Sequence, residues 1–183
     1  MLKNNNYNFL SMLEEQDAFL HGHFCLPCGL HSEVYIKASA LMKYAHIAKK
    51  VALLMSGKFQ AQPDVVLSPS LNTYPIACAV AEVKNTRAVY SDGGALGRNF
   101  VIKPGESVLI VDDVAVSGKQ IARAVLFVKS LGAKVIGVSV MVDRSSGELP
   151  IGAPLRALLS YPLVTYEERE CPLCKRGVPL EKK

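Results

Sequence analysis

The hydrophobic rhythm of the chain changes with position. Phe9, Leu13 and Leu20, with Gln16 between them, fall at helical spacing and predict an amphipathic helix over 7–20. Residues 21–37 are rich in Gly, Pro and Cys and hold two short strand candidates, at about 23–26 and 33–36. A helix is expected over 39–56, with Gly57 just past its end. Strand-like runs then alternate with helical ones. They are 64–68 (strand), 76–83 (helix), 87–90 (strand), 107–111 (the strongest strand pattern), 120–131 (helix, ending before Gly132) and 134–142 (strand). The segment 91–97 is a Gly-rich loop. This alternation implies βαβ units, a central parallel sheet covered on both faces, and right-handed crossovers. From Pro150 onward the prolines at 150, 154, 162, 172 and 179 break the rhythm. The tail reads as irregular, with a strand near 158–163 that is expected to pack on a small lobe with the N-terminal segment rather than extend the main sheet.

Length and composition agree with this α/β reading. The chain of 183 residues is half hydrophobic and one-fifth charged, which suits one globular domain (core about 38–148) with a small hood lobe from about 1–37 and 149–183. Its net charge of +5 is spread along the chain, without the basic, aromatic-interleaved stripe of a nucleic-acid binder. A small anionic ligand explains a mild positive bias, and so does chance. No run is apolar enough to cross a membrane, and Met1–Asn6 lacks a signal core, so a cytoplasmic protein with no membrane partner is expected.

The informative stretch is Val108–Gln120. An apolar strand leads to Asp112 and Asp113, and a short loop containing Gly118 then opens a helix. Ligands of open parallel sheets bind at the carboxyl ends of strands. Loop amides and a helix N-terminus there favour a phosphate. Ser117 can add a hydroxyl and Lys119 a charge. Adjacent carboxylates provide paired acceptors for ribose hydroxyls. Together these features suit a ribose 5-phosphate group. Two acids alone would be read as a solvated turn; the order strand, acids, Gly loop, helix favours a site. A nucleotide P-loop is excluded, because Gly118-Lys119 lacks the upstream Gly and the following Ser or Thr.

This segment resembles the signature of type I phosphoribosyltransferases. The resemblance implies that Asp112 and Asp113 face the ribose hydroxyls of phosphoribosyl pyrophosphate, and that Val116, Ser117, Gly118, Lys119 and Gln120 cradle its 5-phosphate. Further segments resemble the orotate branch of that family. Cys28-Gly29-Leu30-His31-Ser32-Glu33-Val34-Tyr35 is similar to its hood motif, Phe100–Glu106 to the run before the signature strand, Val142-Asp143-Arg144 to its Asp-Arg pair, and Glu170–Leu180 to a common bacterial tail. The resemblance implies transfer of ribose 5-phosphate to orotate or a related base with release of pyrophosphate. It further implies Mg²⁺ acting with phosphoribosyl pyrophosphate, a mobile lid over 91–99 with Arg98 as its cation, and a homodimer. It gives Arg144 the orotate carboxylate, and assigns His31, Ser32, Tyr35, Asn72 and Thr73 to substrate.

The chain departs from the family where the family carries cations for pyrophosphate. Ser91 and Asp92 follow Tyr90, Leu30 replaces the basic residue of the hood, and Ser68–Thr73 lacks the Gly pair. A second reading therefore stands beside the enzyme: a catalytically degenerate relative that binds a ribose phosphate or nucleotide as a sensor or partner module. Cys25-x-x-Cys28 and Cys171-x-x-Cys174 have the spacing of zinc half-sites. The resemblance brings both to the lobe made by the chain ends, where four thiolates would form a closed structural zinc site. Two pairs of small buried thiols are the other reading.

Overall fold

The computed structural model describes residues 4–26 and 29–182. The chain opens with α1 (Asn4–Glu15), β1 (Phe19–Cys25) and β2 (His31–Ile36). The first helix is shorter than its spacing predicts. Asp17 adopts a left-handed φ of 50°, and the Ala18 N–H donates to the Leu13 carbonyl at 2.8 Å, which closes the helix end. Phe19 and Leu20 therefore begin a strand. The helix expected over 39–56 is also divided. A 3₁₀ turn at Ala38–Lys43 and an extended Tyr44 (φ −111°, ψ 118°) precede α2 (Ala45–Ser56). The tighter turn sinks Leu41 into the core and leaves Ser39 beside Asp113.

The alternating region follows: β3 (Val65–Ser68), α3 (Tyr74–Lys84), β4 (Arg87–Asp92), β5 (Ala95–Leu96), β6 (Ser107–Ala115), α4 (Lys119–Ser130), β7 (Lys134–Asp143) and β8 (Leu155–Ser160). The tail adds α5 (Pro172–Lys175) and β9 (Glu181–Lys182). The main sheet has the order β5-β4-β3-β6-β7-β8, and every pairing except β4–β5 is parallel. A smaller sheet, β2-β1-β9, joins the two ends of the chain.

Side chains alternate across the main sheet, as strand geometry requires. Leu109 and Val111 of β6 join the core under α1, α2 and α3, with Leu13, Val51 and Val80. Val108 and Ile110 join the opposite core under α4, with Ile121, Val125 and Val128. The near-continuous burial of β3, β6 and β7 follows from helices covering both faces.

The strand expected near 158–163 is found at 155–160, and its expected place is corrected. It pairs with β7 from Val138↔Leu155 to Asp143↔Ser160 and so extends the main sheet. Without it, β7 would leave a row of backbone groups unpaired beside the core. Leu158 and Leu159 are buried in the α1 side of that core.

Two features of this topology create a cleft. From β3 the chain proceeds by α3 to β4 on one side; from β6 it proceeds by α4 to β7 on the other. The order reverses between β3 and β6, the usual ligand crevice of open sheets. Moreover, β3 pairs with β6 only as far as Leu67↔Ile110, whereas β7 accompanies β6 to Ala115↔Asp143. Beyond Ile110 one flank of β6 is left without a strand neighbour. Gly118 then turns the chain into α4 with φ 68°, and a Cβ there would stand 2.8 Å from Ile151 Cγ2. Both the backbone angle and the space therefore require glycine. Gly118→Ala is expected to destabilise the protein by about 1–3 kcal/mol, measured by urea unfolding. A loss below about 0.5 kcal/mol would show that the loop absorbs a Cβ freely.

Candidate active site

Asp112 and Asp113 lie on β6 beyond the point where β3 ends. Successive strand residues point to opposite faces, so the two carboxylates reach the cleft from different sides. Asp112 is buried, and its Oδ1 accepts the Asp113 N–H at 3.1 Å. The Thr73 hydroxyl also donates to it. Thr73 is held in turn at 2.7 Å from Ser68 Oγ and 3.1 Å from Ser70 Oγ, a hydroxyl cluster at the start of α3. The Asp113 carboxylate accepts the Val114 N–H at 2.7 Å and the Ser39 hydroxyl. Burial, helped by the charge of Asp113, pushes the Asp112 carboxyl up to about 7, against the pull of the Asp113 amide and Thr73. Burial raises Asp113 too, opposed by the Val114 amide and Ser39. This is a pair of desolvated acceptors close together.

The turn after β6 provides the complementary chemistry. Val116, Ser117, Lys119 and Gln120 are exposed around the buried Gly118. The first amides of α4 have no carbonyl one turn earlier to bond, so they remain available to an anion. The Gln120 side chain crosses the cleft and donates to the Pro69 carbonyl at 3.1 Å. A cavity of about 280 Å³ opens beside this bridge, lined by Pro69, Ser91, Asp92, Gln120 and Arg123 among others. Asp92 and Arg123 bring opposite charges to its wall.

A second cavity, of about 210 Å³, lies on the hood side. Arg144 forms its floor, and Ser32, Glu33, Val34, Tyr161, Val164 and Tyr166 are among its walls. The Arg144 N–H donates to the Ala115 carbonyl at 2.7 Å, which anchors this residue to the end of β6. Its side chain is buried, yet Nε and Nη2 have no hydrogen-bond partner among the described residues. Burial pulls its pKa down and the nearby Tyr161 opposes this; a guanidinium still keeps its proton. A buried cation with two unused donors is costly unless an anion meets it. Arg144 also borders a third cavity with Val116 and Leu30, so it stands between the hood pocket and the phosphate turn.

The structure brings Asp112, Asp113 and Thr73 together, and places Ser32 and Arg144 on one pocket. Other candidates lie elsewhere. Asn72 is exposed on the turn before α3, and Arg98 is exposed past β5. Tyr35 packs its ring 5.7 Å from that of Phe24, with the Lys37 ammonium 5.9 Å from its ring centroid. His31 is buried and faces His23 and Cys174, away from the pocket-lining residues. Cys171 and Cys174 do converge, but with His23 and His31, a group able to hold a metal ion. Cys25 is outside that group, its thiol directed to the Leu26 carbonyl at 3.7 Å, and Cys28 lies outside the described residues. Ser39, Ser68, Tyr161 and His23 are site residues that sequence reasoning missed. Single hydroxyls and rings brought in from distant segments leave no local pattern to read.

Comparison with known proteins agrees with this geometry. The phosphoribosyl transferase domain matches residues 32–162. The orotate phosphoribosyltransferase of Caldanaerobacter subterraneus subsp. tengcongensis is 35% identical over 178 residues, covering 94% of each chain. That of Thermus thermophilus is 33% identical and covers 94% of this chain and 97% of its own. Among solved structures, the orotate phosphoribosyltransferase of Aeropyrum pernix superposes with a TM-score of 0.68 at 26% identity, over 82% of this chain and 92% of its own. The Mycobacterium tuberculosis orotate phosphoribosyltransferase, solved with 5-phospho-alpha-D-ribosyl 1-diphosphate, shares the fold with a TM-score of 0.67 at 19% identity, over 85% and 96% of the two chains. The paired acids, the turn after them and the whole-length likeness converge on one assignment: this chain belongs to the phosphoribosyl transferase family.

Proposed function

We propose that the protein transfers ribose 5-phosphate from phosphoribosyl pyrophosphate to orotate, releasing pyrophosphate, in pyrimidine nucleotide synthesis. The observation that carries this reading is Arg144. Its partnerless Nε and Nη2 form one edge of a fork, buried in a pocket the size of a single planar ring. A carboxylate on a pyrimidine would meet both donors at once. The names of the relatives support the same base.

In this reading the sugar hydroxyls rest on Asp112 and Asp113, and the 5-phosphate sits on the amides of Val116–Gln120. Arg144 holds the base between them. These groups fix the anomeric carbon relative to the attacking nitrogen, which is where most of the rate enhancement of such a displacement arises. Mg²⁺ bound with the pyrophosphate would neutralise the leaving group. The cavity lined by Ser91, Asp92, Gln120 and Arg123 suits such a ligand, since sugar and phosphate oxygens bring the ion most of its own ligands. The lid over 91–99 would exclude water, with Arg98, exposed on that segment, reaching toward the leaving group. A homodimer, with this lid crossing to the neighbouring subunit, and a cytoplasmic location belong to the same reading; among the described residues no helix is long and apolar enough to cross a membrane.

One observation favours a second reading. Asp92 lines the cleft where pyrophosphate would lie. An acid there repels the leaving group, which suits a relative that binds ribose phosphates without turnover. Pyrophosphate release from phosphoribosyl pyrophosphate, Mg²⁺ and a panel of bases decides between them. Release with orotate is expected; binding without release, with every base, would establish the second reading.

Three outcomes follow from the geometry. Arg144→Gln is expected to raise the KM for orotate by about 10²–10³-fold, the loss of about 3–4 kcal/mol from a buried charge-assisted pair. The KM for phosphoribosyl pyrophosphate should change much less, and an equal rise in both would remove Arg144 from the base. Asp92→Asn should lower the KM for phosphoribosyl pyrophosphate by about 3–10-fold, the scale of one like charge removed from a partly screened site; an unchanged value would place pyrophosphate elsewhere.

The third outcome concerns pH. The folded-state pKa of Asp112, about 7, lies above its ordinary value of 3.8. The folded protein therefore holds this proton more tightly than the unfolded chain does. Stability is lost as pH rises from about 4 to 7, and the penalty is complete above that window. Asp112→Asn should match the parent near pH 4 and exceed its unfolding free energy by about 1–3 kcal/mol near pH 8, while losing turnover. Urea melts at both pH values check this, and a variant less stable at pH 8 would show that the carboxylate is stabilised there.

A further inference from the structure

The hood contains a cluster that the transferase chemistry does not use. His23 of β1, His31 at the start of β2, and Cys171 and Cys174 around α5 bring their ligand atoms within 4.8 Å of one another. His23, His31 and Cys171 are buried. Four of its six edges are 3.0 Å (His23 Nε2 to His31 Nδ1), 3.5 Å (Cys171 Sγ to His23 Nε2), 3.6 Å (Cys174 Sγ to His23 Nε2) and 3.2 Å (Cys174 Sγ to His31 Nδ1), and the other two are no longer than 4.8 Å. A tetrahedral zinc ion with Zn–N of about 2.0–2.1 Å and Zn–S of about 2.3 Å sets nitrogens about 3.3 Å apart and N–S pairs about 3.5 Å apart. The four edges lie within about 0.3 Å of those of such a tetrahedron.

The outer contacts fit as well. His23 Nδ1 lies 2.8 Å from the Val178 carbonyl. A carbonyl only accepts, so Nδ1 carries the proton and Nε2 turns its lone pair toward the two thiols. A backbone carbonyl holding the far nitrogen of a histidine is the usual support of a zinc ligand. Two cysteines one helical turn apart supply the other half-site, with Cys171 capping α5.

We propose that His23, His31, Cys171 and Cys174 bind a structural zinc ion, and that this ion fastens the tail to the wall of the hood pocket. The second part follows from backbone pairing. His31 and Tyr166 exchange hydrogen bonds of 2.8 and 2.9 Å, and the adjacent Ser32 hydroxyl donates to the Val164 carbonyl at 3.2 Å. Ser32, Val164 and Tyr166 line the Arg144 pocket. A ligand of the ion is therefore one residue from the pocket wall. Metal binding stands independently of the orotate reading; only its effect on the base KM rests on that reading.

The test uses the full-length protein. Elemental analysis of the purified protein should give about one zinc per chain, and X-ray absorption should give two sulfur and two nitrogen ligands. Cobalt(II) exchanged into the site should show the visible bands of a tetrahedral centre with thiolate charge transfer. Cys25→Ser and Cys28→Ser should keep this stoichiometry and spectrum, while Cys174→Ser and His23→Ala should lose them. Four sulfur ligands, or loss of metal on Cys25→Ser, would overturn the ligand set. A folded protein that takes up neither zinc nor cobalt would overturn the site itself. If Cys174→Ser fails to fold, the absorption data and the Cys25→Ser variant still decide. Chelator-treated protein that remains folded should show a severalfold higher KM for orotate with little change for phosphoribosyl pyrophosphate. Unchanged KM values at confirmed metal loss would overturn the fastening of the pocket, whatever the base assignment.

Discussion

The constraint on which the site depends is that β6 outruns its neighbour. β3 leaves it at Ile110, and the next residues to emerge are carboxylates. Had β3 continued, its strand and the connection to α3 would fill the space now left beside the end of β6, and the cleft at Asp112 would be lost. Had β6 stopped at Val111, both acids would be solvated and ordinary. The actual length holds them on a rigid strand with most of their hydration stripped away. Thr73 and Ser39 replace part of that hydration with fixed dipoles, contributed by α3 and by the 3₁₀ turn before α2. Such pre-set acceptors need little reorganisation when a sugar arrives. The raised Asp112 pKa is the stability cost of that arrangement.

Arg144 is the same device with the opposite sign. The free protein leaves its Nε and Nη2 without partners in a buried position. Hydrophobic replacement would relieve this, as it does for many buried ions. Its anchoring to the Ala115 carbonyl ties it to the strand that carries the acids, so cation and carboxylates form one rigid unit. In the proposed reading one ligand bearing hydroxyls and a carboxylate would meet both the desolvated acids and the partnerless guanidinium. The pyrophosphate side is built differently. Its charges, Asp92 and Arg123, are at the rim and of mixed sign. Exposed charges there act with a fraction of the strength of buried ones. In the proposed reading the site is therefore organised around sugar and base, and the leaving group would depend more on what it brings with it.

Much of this was legible because it is local. The run Val108–Gln120 encodes strand, acids, glycine turn and helix in consecutive residues, and each step has a local cause. Arg144 could be named because Val142-Asp143-Arg144 resembles the family's Asp-Arg pair and follows a strand end. What escaped detection was assembled over distance. Ser39, Ser68 and Tyr161 are unremarkable where they stand in the chain, and reach the site only through the crossovers. The helix starting the chain was overextended because Leu20 keeps helical spacing, while the event that ends the helix is a backbone angle at Asp17. The tail strand was misplaced because its prolines mask an edge position that β7 requires to be filled. In the hood, spacing alone favoured two Cys-x-x-Cys pairs. Among the described residues the fold instead sets His23 and His31 beside Cys171 and Cys174, since β1 and β2 run antiparallel and bring residues 23 and 31 near each other.

The small sheet explains why such a cluster is useful there. It consists of a hairpin and a two-residue strand; about half of the hairpin's side chains are buried, and His23, His31 and Ser32 among these are polar. A lobe this small gains little from apolar burial and needs a cross-link to hold its shape. The four-residue α5 could not form alone, because so short a helix does not repay its own nucleation. The proposed zinc ion, joining Cys171 and Cys174 to histidines on the hairpin, would supply the missing order. The same hairpin continues directly into Ser32 and the pairing with Tyr166. Rigidity imposed by such a link would pass to the pocket through these pairings, since Ser32 and Tyr166 line it beside Arg144.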